Sequence, residues 1–244
     1  MAHVATVLQQ ETLAEDEVIT WSGYHSQLMA TDSLKPQAVI GVFPLFPDKA
    51  ASPSMIKHAM QLTMQGTAFL NPGQTGVLGA DQPIYAIAKQ LQWRFPDILG
   101  EDKLVLMMGA LHIEDKAHQM IGKLLRDSGW TTILTQAQVL TAGCAQSALN
   151  EHHIKCTRYA HQVSLMALHL LKNKAYATYC IQLEDIPESQ EVWDQLSRTE
   201  NPQFKSWSMI MELELLLCRF IQSLREGDFY FTSKYVTSCV HGFK

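Results

Sequence analysis

The sequence predicts a mixed α/β fold: a short, mostly parallel sheet followed by a largely helical C-terminal half. Three observations carry this. Two apolar strand-like runs, Gly76–Ala80 and Leu104–Leu111, are separated by a helix-like stretch. A strand, a helix and a strand in succession imply a right-handed crossover with the two strands parallel. After about residue 114 the apolar residues recur at helical rather than alternating spacing, with cap residues between the segments.

Residues 1–35 are weakly patterned and are expected to form an irregular arm. Ala38–Phe46 is apolar and rich in β-formers, but Pro44 interrupts it, so an edge strand is expected. Ser52 followed by Pro53 reads as a cap with proline at the first helical position, and the helix runs to about Phe69. Asn71-Pro72-Gly73 closes it with turn chemistry. The strand Gly76–Ala80 ends at Asp81, and Pro83 opens a helix through about Arg94. Leu104–Leu111 is a continuous apolar run of the kind buried on both faces, ending at His112. A helix from about Glu114 to Asp127 follows, stopped by Gly129. Further helices are expected near 143–151, 157–180, 189–198 and 202–226. The last has Asn201 as cap, Pro202 at its first position, Arg225 in its last turn and Gly227 just beyond. The expected organisation is one α/β domain over 36–232, with 233–244 as a divergent tail.

Bulk properties exclude several classes. Of the 244 residues, 47% are hydrophobic, enough for a sizeable core and too many for a disordered chain. The formal net charge is −5 and the lysines and arginines form no run, so a general nucleic-acid binder is not expected. Five cysteines, odd in number and never in a CxxC pair, read as reduced thiols. Acidic residues interrupt residues 1–20, so no signal peptide is expected. The longest apolar run is far short of the roughly 20 residues a membrane span needs. A cytoplasmic or nuclear protein is expected.

Candidate chemistry rests on three carboxylates and one histidine. Residues at the carboxyl ends of adjacent parallel strands face one crevice, where ligands of open α/β sheets bind. Asp81 stands at the first such end, His112 and Glu114 at the second. Carboxylates from both strands would suit Mg²⁺, which takes hard oxygen ligands. Asp81 two residues before Pro83 is equally a helix cap, Glu114 in a first helical turn equally suits the macrodipole, and His112 equally a core histidine. Glu214 has Ile210, Met211, Leu217 and Cys218 as helical neighbours. A carboxylate so placed needs a metal, a proton or a hydrogen-bonding histidine or tyrosine, because burying a bare charge costs several kcal/mol. Glu212 leans instead towards a polar edge.

Other signals are incomplete. His112-x-Glu114 matches the zinc deaminase H-x-E, but no P-C-x-x-C follows. His152-His153-x-x-Cys156 with His161 has zinc-ligand types and no second half at finger spacing. Ser54-x-x-Lys57 lacks the later motifs of the serine acyl-enzymes.

Seven motifs stand in order: Pro44-Leu45-Phe46 with Met55–Met60; Asn71-Pro72-Gly73-Gln74; Asp81-Gln82-Pro83-Ile84-Tyr85-Ala86; Gln92-Trp93; Met108-Gly109-Ala110-Leu111-His112-Ile113-Glu114; Ser128-Gly129-Trp130-Thr131-Thr132; and Arg158-Tyr159-Ala160-His161-Gln162-Val163. From about Trp21 to about Phe229 the chain resembles an uncharacterised group of mobile-element-associated, transposase-like proteins of animal genomes. The resemblance implies a degenerate RNase H-like core, with Asp81 as first-strand carboxylate and His112 with Glu114 as the second cluster. Two Mg²⁺ ions would then support phosphodiester chemistry. Glu214 as the late carboxylate comes from its apolar setting, not from the resemblance. Two departures stand out: Asp115 replaces an expected apolar residue, and the chain turns into Ser233–Lys244 where such proteins continue into Asp-x-x-Asn-Tyr-x-x-Trp. The expectation is therefore a truncated, transposon-derived chain with an incomplete or vestigial nucleic-acid-processing core. DNA contact would fall to a missing or separate region. The alternatives are a non-catalytic interaction or structural protein prone to self-association, and a Mg²⁺-dependent nuclease.

Overall fold

The computed structural model describes residues 40–43, 45, 49–182, 189–228, 230 and 232. The arm 1–35, the tail 233–244 and half of the expected edge strand lie outside them; the described Ile40–Phe43 carries no strand. The described residues form two compact units, one running to Ile113 and one beginning at Glu114, where a single domain was expected.

The first unit is a small α/β layer. Helix α1, Pro53–Leu70, starts where Ser52 accepts a hydrogen bond from the Met55 amide, with proline in the first turn. Strand β1, Gly76–Ala80, leads to α2, Gln82–Arg94, the one-turn α3, Pro96–Leu99, and strand β2, Leu104–Met108. The strands pair in parallel, Gly76 opposite Leu104 through Ala80 opposite Met108. Helices α1 and α2 cover one face of this sheet, and Ile56, Met60, Ala88, Leu91, Leu99, Leu104 and Leu106 form the core. Buried Gln92 ties helix to sheet, its amide nitrogen 2.7 Å from the Leu104 carbonyl oxygen. The register partners Val77 and Val105 point to the other face and stay exposed, at 54% and 41%.

The α/β class is thus as the sequence predicts, but helix dominates and the described sheet has two strands. The RNase H-like core finds no support in it. The second strand also ends early: Gly109, without side-chain stiffness, breaks the apolar run. Its amide donates to the Ala80 carbonyl and its own carbonyl accepts from the His112 amide, so a helix begins at Ala110. His112 therefore sits in a first helical turn, not at a strand end.

The second unit is helical: α4, Ala110–Leu125, with its first turn shared with the other unit; α5, Trp130–Gln136; α6, Ala142–Leu149; α7, Ile154–Gln182; α8, Gln190–Glu200; and α9, Pro202–Glu226. Asn201 caps α9 through its side-chain oxygen, and Gly227 ends it at φ 69°, as the sequence predicts. Gly122 of α4 lies so close to α6 that a Cβ there would stand 2.4 Å from the Leu149 carbonyl oxygen. Trp193 of α8 packs edge-on against Phe204 of α9, ring centroids 5.4 Å apart, with Tyr176 of α7 at the same distance.

Asp81 joins sequence to fold directly. It is the N-cap of α2, its Oδ1 accepting from the Ile84 amide at 3.1 Å. Asp81→Ala is expected to lower stability by about 1 kcal/mol, a fall in Tm of about 3 °C at this chain length, measured by thermal unfolding.

Candidate functional site

The chemistry-bearing side chains of the helical unit collect on buried stripes. On α4 the buried positions are Glu114, Ala117, His118, Ile121, Gly122 and Leu125; on α7 they are Thr157, Ala160, His161 and Ser164. Both sets follow the spacing of three and four that puts residues on one helical face. Ile210, Glu214, Leu217 and Ile221 make the corresponding stripe of α9. The alanines and Gly122 let backbones approach, leaving room for polar side chains between the helices.

Two linked pairs result. Arg158 grips Glu114 with both arms of its fork, Nε to Oε1 at 2.5 Å and Nη2 to Oε2 at 2.6 Å. This is the geometry that makes Arg–carboxylate pairs strong. Glu114 is 1% exposed. Behind it His118 Nδ1 lies 3.9 Å from Glu114 Oε1, too far for a hydrogen bond. The second pair is His161 and Glu214, with Nδ1 and Oε1 2.9 Å apart. The two pairs meet through their rings: His118 and His161 have centroids 5.0 Å apart, and Trp130 stacks on His161 at 5.1 Å. Trp130 Nε1 donates to Ser164 Oγ at 2.7 Å, satisfying the buried indole.

Burial sets the charge states. Burial pushes the Glu214 carboxyl up to about 9 and His161 down to about 4. Burial also lowers His118 to about 4, reinforced by His161, while Glu114 pulls the other way. At neutral pH the His161–Glu214 pair therefore carries one proton and no net charge. Buried polar atoms remain without hydrogen bonds at His118 Nδ1, His161 Nε2 and Glu214 Oε2. Cys218, beside them, is raised to about 12 by burial and by both carboxylates, so it is no thiolate nucleophile. At the rim Glu151 is raised to about 7, first by burial and then by its hydrogen bond with Asp115. Asp115, the unexpected acid of the sequence, thus has a carboxyl partner.

The four residues singled out from sequence are divided between the units. Asp81 caps a helix in the first; His112 sits in the first turn of α4. In the second, Glu114 and Glu214 are held by Arg158 and His161. Each carboxylate is thus engaged locally. Among the described residues no group of three or more His, Cys, Asp or Glu side chains could hold a metal ion. That covers the proposed ligands Asp81, Glu114 and Glu214 and the set aside His152, His153 and Cys156. Glu214 is fully buried, as its apolar neighbours predict, while Glu212 is exposed and paired with Arg198. Sequence reasoning missed Arg158 and His118. Arg158 stands 44 residues from Glu114 and leaves no local signal; His118, four residues after Glu114, was visible as a same-face neighbour.

No helix among the described residues is long and apolar enough to cross a membrane. Residues 20–191 match a family model described as a domain of unknown function (DUF8702). No curated protein and no solved structure matches the chain.

Proposed function

The chain belongs to the DUF8702 family, and from that premise we propose that it acts without catalysis, as an interaction module of mobile-element descent whose nucleic-acid-processing core is vestigial. One observation carries the reading: both oxygens of Glu114 are occupied by Arg158. A carboxylate so held has its charge already compensated, and a Mg²⁺ ion would have to compete with the guanidinium for the same two oxygens. Asp81 and Glu214 point the same way, one spent on a helix cap and one favoured as a neutral acid. A protonated carboxyl is a poor ligand for a hard cation. The order of the seven sequence motifs supports the mobile-element descent, and nothing in the reading needs an RNase H-like core.

Exposed apolar side chains support the interaction half. Ile40, Val42, Leu45, Phe69, Leu70 and Trp93 are each more than 70% exposed, all in the unit that ends at Ile113. Large apolar groups left in water serve association where they adjoin one another.

The test is a metal titration. Millimolar Mg²⁺ or Mn²⁺ should leave Tm unchanged, and the protein should not cleave single- or double-stranded DNA in either metal. Sedimentation should show association that grows with protein concentration. A metal-dependent rise in Tm that disappears in Asp81→Ala or Glu114→Gln would instead favour a Mg²⁺-dependent nuclease.

A further inference from the structure

One sequence motif, Ser128-Gly129-Trp130-Thr131-Thr132, supplies no side chain to the carboxylate argument, yet it builds a wall of a cleft. The cleft has a volume of about 620 Å³ and lies in the helical unit, at the end of α4, the start of α5 and the end of α6. That volume is within the range of small-molecule sites. Leu125, at 1% exposure, belongs to the core; the polar side chains lining the cleft are Arg126, Asp127, Thr131, Thr132, Gln146 and Asn150.

The cleft's frame is fixed. Gly122 lets α4 touch the backbone of α6 at Leu149. The indole of Trp130 is anchored by Ser164 and His161, which places the two threonines that follow it. Between the helices the chain takes two left-handed residues, Asp127 at φ 60° and Gly129 at φ 84°. Ser128 stitches this turn, its hydroxyl donating to the Leu125 carbonyl and accepting from the Trp130 amide. A non-glycine residue at φ 60° is strained, and such strain collects at binding sites.

The walls, by contrast, are unspent. None of the six polar side chains forms a hydrogen bond or ion pair with another described residue. Two other arginines of this unit are engaged: Arg158 holds Glu114, and Arg198 holds Asp194 and Glu212. Among the described residues Arg126 is the one cation lining the cleft. Its planar fork suits a phosphate bidentately. Two hydroxyls, two amides and a carboxylate around it can each donate to or accept from hydroxyl groups, the carboxylate accepting two at once.

We propose that this cleft binds a small phosphorylated polyol, its phosphate on Arg126 and its hydroxyls on Asp127, Thr131, Thr132, Gln146 and Asn150. The site is independent of the non-catalytic reading above, since no carboxylate of that argument lines it.

Calorimetric titration and thermal melting of the full chain with ribose 5-phosphate, inorganic phosphate and ribose test it. Ribose 5-phosphate should bind and raise Tm, ribose should bind weakly, and inorganic phosphate should bind at least tenfold more weakly than the phosphorylated sugar. Arg126→Gln should weaken ribose 5-phosphate about tenfold or more, the usual loss for a charged hydrogen bond. Thr132→Val should weaken it less and leave inorganic phosphate unaffected. Both variants alter exposed side chains, so their Tm without ligand should match the parent. Absence of binding by ribose 5-phosphate, or equal binding by the parent and Arg126→Gln, would overturn the assignment. Inorganic phosphate binding as tightly as the phosphorylated sugar would overturn the part given to the hydroxyls.

Discussion

Arg158→Ala should lower stability by about 3 kcal/mol, shifting Tm down by roughly 10 °C. The reason lies in what remains rather than what is lost. Glu114 is 1% exposed, and without the guanidinium its carboxylate keeps only His118, 3.9 Å away and neutral at pH 7. An uncompensated buried charge must then take up a proton or draw in water. The Arg158 side chain is itself 28% exposed, so solvent reaches one side of the pair and holds the loss near the lower end of the range for buried pairs. The conservative partner change separates charge from packing. Glu114→Gln with Arg158→Met removes both charges at similar volume and should recover most of the stability, since replacing a buried ion pair by neutral groups is often close to neutral. Urea melts of parent, single and double variants give the coupling. A double variant as unstable as Arg158→Ala would show that the ion pair itself, rather than the charge left unpaired in its absence, supplies the stability.

Glu214→Gln should change how stability depends on pH more than its value at any one pH. The carboxyl has its folded pKa raised from 4.5 to about 9, so between these values the folded chain keeps a proton that the unfolded chain releases. Its contribution to stability is therefore full below pH 4.5 and falls as pH rises towards 9. His118 and His161 run the other way. Lowered from 6.5 to about 4, they bind protons more readily when unfolded, so their contribution is full above 6.5 and is lost as pH falls towards 4. Glu151 shares the sign of Glu214, but its window closes near pH 7. Above pH 7 Glu214 alone of these four still titrates, and the parent should lose stability steadily towards pH 9. In the glutamine variant that decline should vanish. The variant's stability relative to the parent should climb as pH rises from 4.5 towards 9. Denaturant melts at pH 4, 5, 7 and 9 measure this. Parallel profiles for the two proteins would mean that Glu214 is ionised in the folded chain.

Much of the fold was legible because its signals are local. Ser52 with Pro53, Asp81 with Pro83, and Asn201 with Pro202 and Gly227 each mark a helix end within a few residues, and each does so in the structure. The burial of Glu214 followed from its neighbours one turn away. Misreadings came where one residue decided between two regular structures, or where packing overrode propensity. Gly109 turned an apolar run from strand to helix and carried His112 with it. Helix α5 was missed because Thr131, Thr132 and Ile133 are β-branched and Gly129 looked like a stop; Trp130, pinned 34 residues away on Ser164, holds it. The site was the least legible part. Glu114 meets Arg158 across 44 residues and His161 meets Glu214 across 53, distances at which only the folded packing decides who is neighbour to whom.

The two paired strands carry a liability of their own. Gly76–Ala80 and Leu104–Met108 hold no charged residue and no proline, and among the described residues nothing continues the ladder past either strand. Uncharged apolar edges of this kind can template amyloid-like stacking. Concentrated or gently warmed preparations should nucleate aggregates there first, and a single gatekeeper lysine, Val77→Lys, should lengthen the lag in a thioflavin assay while leaving the far-ultraviolet circular dichroism unchanged.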